Sequence, residues 1–562
     1  MKTLIINLKF LYKSVWVLAA FIPAVMLSFF AFNKTAGTVG IFAECLGDVN
    51  IFLSVLISMV SVNTLHKISD IEPSVISYPK LILSKYLSVV FFSFSFIFVP
   101  VVFLTASALY RKIPFFVIMG YIAYLIFRTL AQVLFLTSLG FTVAHLIKGK
   151  CAYIVTIIIS LIFTPLIQNY VRSNARQASD ESFIAATLNL INIVYDEPYK
   201  IKLYGGGAPI NAENVLSWII AALIGIIIIL MLIYINNPAK KSAVVFPTTA
   251  CLLTVSLVFC TIAYYQNMPI ICDYTEHESL PEKIDGYIDD GSTAQTDDYF
   301  INIKLGNTLS CNGTLTVKKH RQKPLSLKLD EAFNISDFTV NGKSFPYTRD
   351  GNYIILEDYA SSENDIVIGY KYSARLNYTD LLHHKTSYCD FYSAYLPEIF
   401  AWYPKILSSS NNIDKSFTLN VDPNNSFVCN LNGCKLMNNK STTIIGIAPD
   451  LFIFSGYIGE TSYNGKPVIM PLEFINNHRA LANVETLLEQ VTLYESAIYP
   501  LFAPMPDNAT EEEQEEIWES LLPTREQIDN LNSFLFLPVS YNTAKRYVWN
   551  TSFISCDLIQ DY

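Results

Sequence analysis

Charged residues are scarce in this 562-residue chain. Asp, Glu, Lys and Arg together make up 15% of it, whereas they account for roughly a quarter of a typical soluble domain. Hydrophobic residues make up 52%, and the mean hydropathy is +0.35. These values exclude a purely soluble globular protein. They also exclude a disordered chain, which needs low hydrophobicity and a high net charge.

Two motifs of nucleotide and metal chemistry are also missing. No Gly-x-x-x-x-Gly-Lys-Ser/Thr loop occurs, so the chain lacks the backbone amides and the lysine that hold ATP phosphates in that loop. No His-Glu-x-x-His occurs either, because His277-Glu278 lacks the second histidine and His383 and His384 are adjacent. The sequence therefore predicts no catalytic site, no metal site and no cofactor within this chain.

The charges are distributed unevenly between the two halves. Residues 1–265 hold 18 Lys and Arg against 9 Asp and Glu, a net charge of +9, whereas residues 266–562 hold 21 against 39, a net charge of −18. A basic, apolar half followed by an acidic, polar half predicts a membrane domain and then a water-exposed domain. The acidity of the exposed half argues against nucleic-acid binding.

The first half contains apolar stretches long enough to cross a bilayer, which takes about 20 helical residues. We count seven, with six or eight as the margin, because the second is short and the fourth is long. The predicted spans are Val15–Phe32, Ile51–Leu65, Tyr86–Tyr110, Pro114–Ile147, Cys151–Gln168, Val215–Ile235 and Val245–Tyr265. The fold class predicted for residues 1–265 is a polytopic α-helical membrane domain.

Lysines in the short connecting segments indicate the orientation of these spans. They precede the first span, separate the second from the third, and follow the fourth and the sixth, so all can lie on one side. These are Lys2, Lys9, Lys13, Lys67, Lys80, Lys85, Lys148, Lys150, Lys240 and Lys241. The positive-inside rule makes that side the cytoplasm, although Arg111 and Lys112 fall on the other side. We therefore expect a bacterial plasma-membrane protein with a cytoplasmic N-terminus and an extracellular domain after Tyr265.

Two polar features of this half have more than one interpretation. Met1–Lys13 alternates apolar groups with lysines, which predicts an amphipathic helix in the cytoplasmic interface or a basic flank that only sets orientation.

Arg128 and Gln132 lie inside the fourth predicted span. An ionisable residue within a membrane suggests a functional site. We favour instead an interhelical hydrogen-bonding anchor, with snorkelling as the alternative if the span is shifted.

The order of these pieces resembles the permease subunits of type-2 ABC exporters over about the first 235 residues. In that family the loop after the second span carries an acidic residue, a short coupling helix and a lysine at the start of the third span. Glu72, Ile76–Lys80 and Ser84–Leu87 occupy those places here, although the usual glycine is absent. The resemblance implies an ATPase-coupling loop that includes Asp70, Glu72, Tyr78, Pro79, Lys80 and Lys85.

The resemblance also implies partners for this chain. A permease of this type works with separate ABC ATPase subunits, which hydrolyse the ATP, and with a second permease copy or paralogue. The lipid membrane surrounds both.

The outer half has a different pattern. Alternating stretches rich in Val, Ile, Tyr and Phe separate Asn, Gly and Asp turns, which predicts an antiparallel β-rich sandwich domain over 266–470. Asn341-Gly342 and Asn432-Gly433 predict tight hairpins, because both residues of a type I′ turn need φ > 0. From about Asn477 the apolar spacing turns helical, so residues 471–562 are expected to form a short mixed α/β segment.

These strands resemble the N-terminal β domain of the gluzincin peptidases, the aminopeptidase N family, over about Leu305–Gly459. The matching pieces come in the family's order: Val340–Gly342, Ile368–Tyr370, Trp402–Pro404, Val421–Pro423 and Asn432–Gly433. The zinc motif and the Gly-x-Met-Glu-Asn motif of that family are absent. The resemblance therefore implies a peptidase-like, non-catalytic β domain, and the chain is not expected to be an enzyme.

Six of the ten cysteines lie in the outer half, where disulfides can form. Cys429 and Cys434 flank the second Asn-Gly turn, so a short cross-hairpin disulfide is expected, with two free thiols as the alternative. The acidic run Glu511–Glu516 is expected to be a solvated helix face, with a surface for a cationic ligand as the alternative.

Together these features predict the permease subunit of a heteromeric ABC exporter for a peptide or amphiphilic substrate. A membrane-anchored ligand-binding or sensor protein, which uses a non-catalytic peptidase-like domain, is the alternative. Since residues 266–562 are strongly acidic, any cargo that they meet is expected to be cationic.

Overall fold

The computed structural model describes two compact units, one up to residue 267 and the other from residue 270. The described residues are 2–34, 39–66, 78–110, 113, 115–163, 208, 210, 212–235, 245–267, 270–271, 295–318, 325–356, 365–379, 385–390, 392–398, 400–406, 415–431, 435–463, 465–475 and 534–535.

The first unit, called the helical unit below, consists of apolar helices. Runs of Leu, Ile, Val and Phe without interior glycine pairs favour helices that are apolar on most sides, as expected of membrane spans. The described helices are α1 Lys2–Tyr12, α2 Trp16–Lys34, α3 Val39–His66, α4 Tyr78–Ser95, α5 Phe98–Tyr110, α6 Phe115–Leu146, α7 Cys151–Ile162, α8 Ala212–Ile235 and α9 Val245–Gln266.

Six of the predicted spans each overlap one of these apolar helices, and the third overlaps two of them. Two shorter apolar helices, Ile51–His66 and Cys151–Ile162, coincide with the second and fifth predicted spans. Five helical segments of the described chain are long and apolar enough to cross a membrane, namely Trp16–Asn33, Lys80–Tyr110, Phe115–Leu146, Ala212–Ile235 and Pro247–Gln266. The helices are compatible with a membrane protein, whereas the count of seven spans stays a prediction.

The third predicted span, Tyr86–Tyr110, is divided between α4 and α5. Pro100 accounts for the division, because a proline has no N–H to donate to the carbonyl four residues earlier, and its ring clashes with that carbonyl. The carbonyl in question is that of Phe96, which accepts the N–H of Val99 instead (3.2 Å). Two helices in tandem therefore replace the single helix that hydropathy alone predicts.

Contacts between the helices fix their relative directions. Along α6, Gln132 contacts Ser54 of α3, and Gly140, eight residues later, lies against Ser61 of the same helix. The two helices therefore run in the same direction. The pairs Tyr124–Trp218 and Leu134–Gly225 show likewise that α8 is parallel to α6. Helix α7 is antiparallel to α3, since its hydroxyls contact α3 in reverse order at Ser160–Ser58 and Tyr153–Asn63.

The second unit, called the β unit below, is built from short strands. They are β1 Ile270–Ile271, β2 Gln295–Lys304, β3 Leu309–Lys318, β4 Leu325–Lys328, β5 Asn334–Val340, β6 Lys343–Ser344, β7 Thr348–Asp350, β8 Tyr353–Leu356, β9 Ile366–Ala374, β10 Asn377–Thr379, β11 Lys385–Cys389, β12 Ala394–Leu396, β13 Lys405–Ile406, β14 Lys415–Asp422, β15 Phe427–Cys429, β16 Thr442–Ala448, β17 Ile453–Ser455, β18 Ile458–Tyr463, β19 Lys466–Pro471 and β20 Phe534–Leu535; a one-turn helix, α10 Leu472–Ile475, follows β19.

Four sheets organise the described strands. Their orders are β16-β14-β2-β3-β9-β5-β6, β1-β10-β11-β12-β17-β15, β13-β4-β8-β7 and β18-β19-β20. Most neighbours are antiparallel, as predicted, but β14 and β2 are parallel over seven residue pairs. Inward-facing residues of the first three sheets, for example Leu315, Ile354 and Ile453, share one hydrophobic core.

Alternation along the strands explains which face is buried. In β9 the residues alternate strictly, so Ile366, Ile368 and Tyr370 are buried while Val367 is exposed. The first predicted hairpin is confirmed, because Asn341 and Gly342 have φ of 51° and 77° and connect β5 to β6.

Several predicted features lie outside the described residues. These are the hairpin at Asn432–Gly433, the helical stretch that begins near Asn477 and the acidic run Glu511–Glu516. Of the mixed α/β segment expected over 471–562, the described residues include α10 and the strand β20, Phe534–Leu535, which pairs with β19 in parallel.

Candidate functional site

The predicted ATPase-coupling loop is described only at its C-terminal end. Asp70 and Glu72 lie outside the described residues, as does the whole of 67–77. Tyr78 and Pro79 form the first turn of α4, and Lys80 follows them with an exposed side chain. The structure therefore does not test whether the acidic residues and the lysines of this loop meet.

Lys85, the last residue assigned to this loop, lies inside the helical unit. Its side chain is buried, and its Nζ donates a hydrogen bond to the carbonyl of Thr64 (3.1 Å). Thr64 belongs to the last turn of α3, where carbonyls lack intrahelical N–H partners and the helix dipole is negative. Lys85 thus connects α4 to the C-terminal end of α3, across the segment 67–77 that joins the two helices.

Helix α1 packs at the same place. The Asn7 side-chain amide donates to the Ser84 hydroxyl (3.3 Å), and the rings of Tyr12 and Phe92 lie 5.3 Å apart, edge to face. Asn7, Thr64, Ser84 and Lys85 therefore form one contact region of α1, α3 and α4, which we call the α3–α4 junction. In α1 the apolar residues Ile5, Ile6 and Phe10 are exposed, which suits the predicted interfacial helix but leaves the basic-flank alternative open.

Arg128 and Gln132 are both buried inside the helical unit, which argues against snorkelling. Gln132 Nε2 donates to Ser54 Oγ of α3 (2.6 Å). Arg128 donates to the Tyr124 hydroxyl (3.0 Å) and lies over the Tyr124 ring (5.6 Å), and that ring contacts Trp218 of α8. Gln132 thus joins α6 to α3, as an interhelical anchor does. Arg128 bonds to Tyr124 of its own helix, and the Tyr124 ring in turn contacts α8.

Small hydroxyl residues extend these polar contacts through the interior, and the sequence reasoning did not single them out. Ser160 of α7 donates to Ser58 of α3 (2.6 Å), while Ser138 of α6 donates to the Gly225 carbonyl of α8 (2.6 Å). The signal in the sequence was the spacing of serines at 54, 58 and 61, which places them on one face of α3. Hydroxyl-mediated contacts of this kind are typical of helices that associate in lipid.

In the β unit, Trp402-Tyr403-Pro404, the most specific piece of the peptidase resemblance, is buried. Trp402 Nε1 donates to the Leu451 carbonyl (3.2 Å), and the Tyr403 hydroxyl donates to the Asp450 carboxylate. The motif therefore ties the segment before β13 to the segment before β17. Its role in this chain is structural.

A small charged cluster adjoins the motif. Lys405 Nζ lies 2.7 Å from Asp450 Oδ2 and also donates to the Glu398 carbonyl. Burial, together with the charge of Asp450, raises the pKa of the Glu398 carboxyl to about 8, although the positive charge of Lys405 acts to lower that pKa. Burial also lowers the pKa of Lys415. This cluster can hold or release a proton near neutral pH.

The described cysteines of the β unit are buried thiols. Burial raises the pKa of Cys311, Cys389 and Cys429 to about 12. Cys434 lies outside the described residues, so the Cys429–Cys434 disulfide stays a prediction.

Neither a protein-family model nor a curated protein matches this chain. Solved structures do match. One is an M1 zinc metallopeptidase of Deinococcus radiodurans bound to a Tyr-Ser-Ala substrate, with 13% identity and a TM-score of 0.27 over 45% of this chain and 59% of that chain. Leukotriene A4 hydrolase of Saccharomyces cerevisiae has 11% identity and a TM-score of 0.29 over 51% and 45%. An aminopeptidase N family protein of Idiomarina loihiensis has 10% identity and a TM-score of 0.27 over 42% and 38%. The chain thus spans less than two thirds of each.

The sequence lacks the two-histidine helix motif, and the described part of the chain holds no group of three His, Cys, Asp or Glu residues that could bind a metal ion. That the chain is not an enzyme remains a prediction from its sequence.

Proposed function

We propose that this chain is the permease subunit of an ABC exporter, driven by separate ATPase subunits. The observation that carries the proposal is the α3–α4 junction, where the ends of two apolar helices are tied together by Lys85 and Thr64. The segment 67–77 connects those same two ends. A partner that displaces this segment would act directly on both helices.

The distribution of basic residues supports a partner on that side. Helices α3, α6 and α8 run in the same direction, so their C-terminal ends lie at one end of the helical unit. Lys67, Lys148 and Lys240 follow these three ends in the sequence. By the positive-inside rule this end faces the cytoplasm, where an ATPase and ATP are found.

The polar contacts of the interior offer a route for the movement. A shift of α3 is passed to α6 through Ser54 and Gln132, and from α6 to α8 through Ser138 and the Gly225 carbonyl. Two permease bodies, either identical copies or paralogues, would rearrange together and open a pathway between them. The β unit lies outside the membrane in this proposal and meets a cationic peptide or amphiphilic cargo.

Co-purification tests the proposal. The full-length protein, solubilised from its own membrane, should bring down an ABC ATPase, detectable by mass spectrometry and by ATP hydrolysis. Glu72→Ala should weaken that association. Lys85→Met should retain the ATPase but reduce export, because the tie between the two helices is lost.

The matched control is Lys150→Met, which removes an exposed lysine outside the proposed coupling loop. It should retain the ATPase and lower export by less than Lys85→Met does. If no ATPase accompanies the protein, and export survives both Glu72→Ala and Lys85→Met, the permease proposal is wrong. Capture of a signalling kinase in place of an ATPase would favour the sensor alternative.

A further inference from the structure

Three asparagines form a row across the outward face of the seven-stranded sheet. The register places Asn302 of β2 between Asn420 of β14 and Asn312 of β3. The side-chain amide of Asn420 donates to Asn302 Oδ1 (2.6 Å), and the amide of Asn302 donates to Asn312 Oδ1 (2.8 Å). We call these three residues the amide row. It crosses three neighbouring strands and so extends over two strand spacings, about 10 Å.

The amide row has hydrogen-bonding capacity beyond its internal bonds. An asparagine side chain has two N–H donors and a carbonyl oxygen with two lone pairs. The internal bonds use one N–H each of Asn420 and Asn302 and one lone pair each of Asn302 and Asn312. Within the described residues, both side-chain N–H groups of Asn312, which is exposed, are left for a ligand. The row therefore offers donors and acceptors side by side without carrying a charge.

Phe300 exposes an aromatic ring beside this row. It precedes Asn302 by two residues on β2, so both side chains point outward, and it is 41% exposed. Its neighbours in register, Thr418 on β14 and Thr314 on β3, both have short side chains that leave the ring accessible. The alternate residues of β2 fill the core, so burial does not account for a phenylalanine at this position.

The charged side chains near the amide row argue against a charged ligand. Lys304 lies 4.0 Å from Asp422, and Lys371 of β9 lies in register with Asp337 of β5. These opposite charges offset each other, and exposed Asp298 adds only a single negative charge next to Phe300. The chemistry of the face is therefore that of neutral amides and hydroxyls around one aromatic ring, which favours a neutral, hydroxyl-rich occupant.

We propose that this face binds a neutral, β-1,4-linked oligosaccharide. A pyranose ring has an apolar C–H face, which would pack on the ring of Phe300. Its hydroxyls both donate and accept hydrogen bonds, as the amides of the row do. The row is longer than one sugar ring, and a β-1,4-linked chain is an extended ribbon that can follow it across the strands. The inference goes beyond the proposed function and does not depend on it, because this binding needs neither an ATPase nor ATP.

Fluorescence anisotropy on the full-length protein in lipid nanodiscs tests this binding. The probes are labelled cellohexaose and labelled N-acetylated chitohexaose, which are both neutral and β-1,4-linked. Phe300→Thr keeps a strand-forming residue but removes the ring, so it should weaken binding about fivefold, within the roughly 2- to 13-fold that an aromatic contact gives. Asn312→Thr removes the exposed end of the row and should weaken binding about threefold, as the loss of one hydrogen bond does.

The exposed isoleucines of the edge strand β16 provide a control on the same face. Ile445 and Ile447 are 64% and 71% exposed. Ile445 pairs with Thr418 and so lies in line with Phe300, whereas Ile447 pairs with Ser416, further from the amide row. Ile447→Thr removes more exposed apolar surface than Phe300→Thr does in proportion to the side chain, yet it should leave the affinity for both hexamers unchanged.

Three further measurements separate sugar binding from other uses of this face. Phe300→Trp should retain binding and Phe300→Leu should lose it, because an aromatic ring and not apolar area alone holds the sugar. Raising the salt concentration should leave the affinity unchanged, since the probes are neutral. If neither hexamer binds, or if Phe300→Thr and Ile447→Thr bind them equally well, the proposal is wrong. A dimer that forms without sugar and is abolished by Phe300→Thr would also overturn it, in favour of a contact between two copies.

Discussion

Gly225 lies where α8 meets the backbone of α6. A Cβ at this position would lie 2.8 Å from the carbonyl oxygen of Leu134 and 2.9 Å from the Cα of Phe135. Both are backbone atoms, which cannot rotate away as a flexible side chain does. Gly225→Ala therefore has to push the two helices apart by several tenths of an ångström.

The cost of this substitution can be worked out from three effects. Overpacking of a close contact costs about 1–3 kcal/mol. Separation also stretches the 2.6 Å hydrogen bond from Ser138 to the Gly225 carbonyl, and interhelical hydrogen bonds in membrane proteins contribute about 0.6 kcal/mol on average. Alanine in place of a helical glycine returns about 1 kcal/mol. The net expectation is that the free energy of unfolding falls by about 0.5–2.5 kcal/mol.

Unfolding of the full-length protein in detergent, followed by tryptophan fluorescence, measures this change. Gly120→Ala is the matched control, because Gly120 lies in α6 and a Cβ there would meet only the Cβ of Ala208 at an ordinary 3.6 Å. The control should be as stable as the unaltered protein or more stable. If Gly225→Ala is as stable as Gly120→Ala, the close approach of α6 and α8 at this position is refuted.

Three further predictions concern single side chains. Lys85→Met should lower the Tm of the helical unit, because the Thr64 carbonyl loses a charged hydrogen-bond donor. Lys80→Ala serves as the control, and an equal Tm for the two variants would contradict the role of Lys85. Since the pKa of Glu398 is raised to about 8, its stabilising contribution is complete below about pH 4.5 and is lost as the pH rises through 8. Glu398→Gln should therefore flatten the pH dependence of the free energy of unfolding, and an unchanged slope between pH 5 and 8 would count against it. Gly342→Ala should destabilise the β unit by about 1–2 kcal/mol, because Gly342 has a φ of 77°, which strains a residue with a Cβ, and that Cβ would gain no contact within 4 Å from the described residues. Urea denaturation measures this effect, and full stability of the variant would exclude the left-handed turn.

One local signal in the sequence predicted its structure correctly, whereas the pairings between distant elements could not be predicted. The hairpin at Asn341-Gly342 could be predicted because its need for φ > 0 concerns two adjacent residues. Gln132 was expected, with Arg128, to be an interhelical anchor, but its partner Ser54 is 78 residues away, and hydropathy does not show which helices pack against each other. The break at Pro100 was visible in the sequence but was overridden by the length of the apolar run.

The same distinction applies to the candidate sites. Lys85 was assigned to the coupling loop because it matches the lysine that begins the third span in the exporter family. Its burial against Thr64 depends instead on the angle at which α4 meets α3. The exposure of Ile445 and Ile447 was also hidden, because an apolar β-branched run predicts a buried strand. Only the order of strands in the sheet places that run at an edge.

The buried thiols give the β unit a built-in measure of its own opening. The thiolate is the form that reacts with alkylating reagents, and burial raises the pKa of Cys311 and Cys389 to about 12. In the folded unit at pH 8 both are shielded and protonated, so alkylation proceeds only during excursions that expose them. The labelling rate of Cys311 and Cys389, read residue by residue, therefore reports how often this unit unfolds, without any added probe.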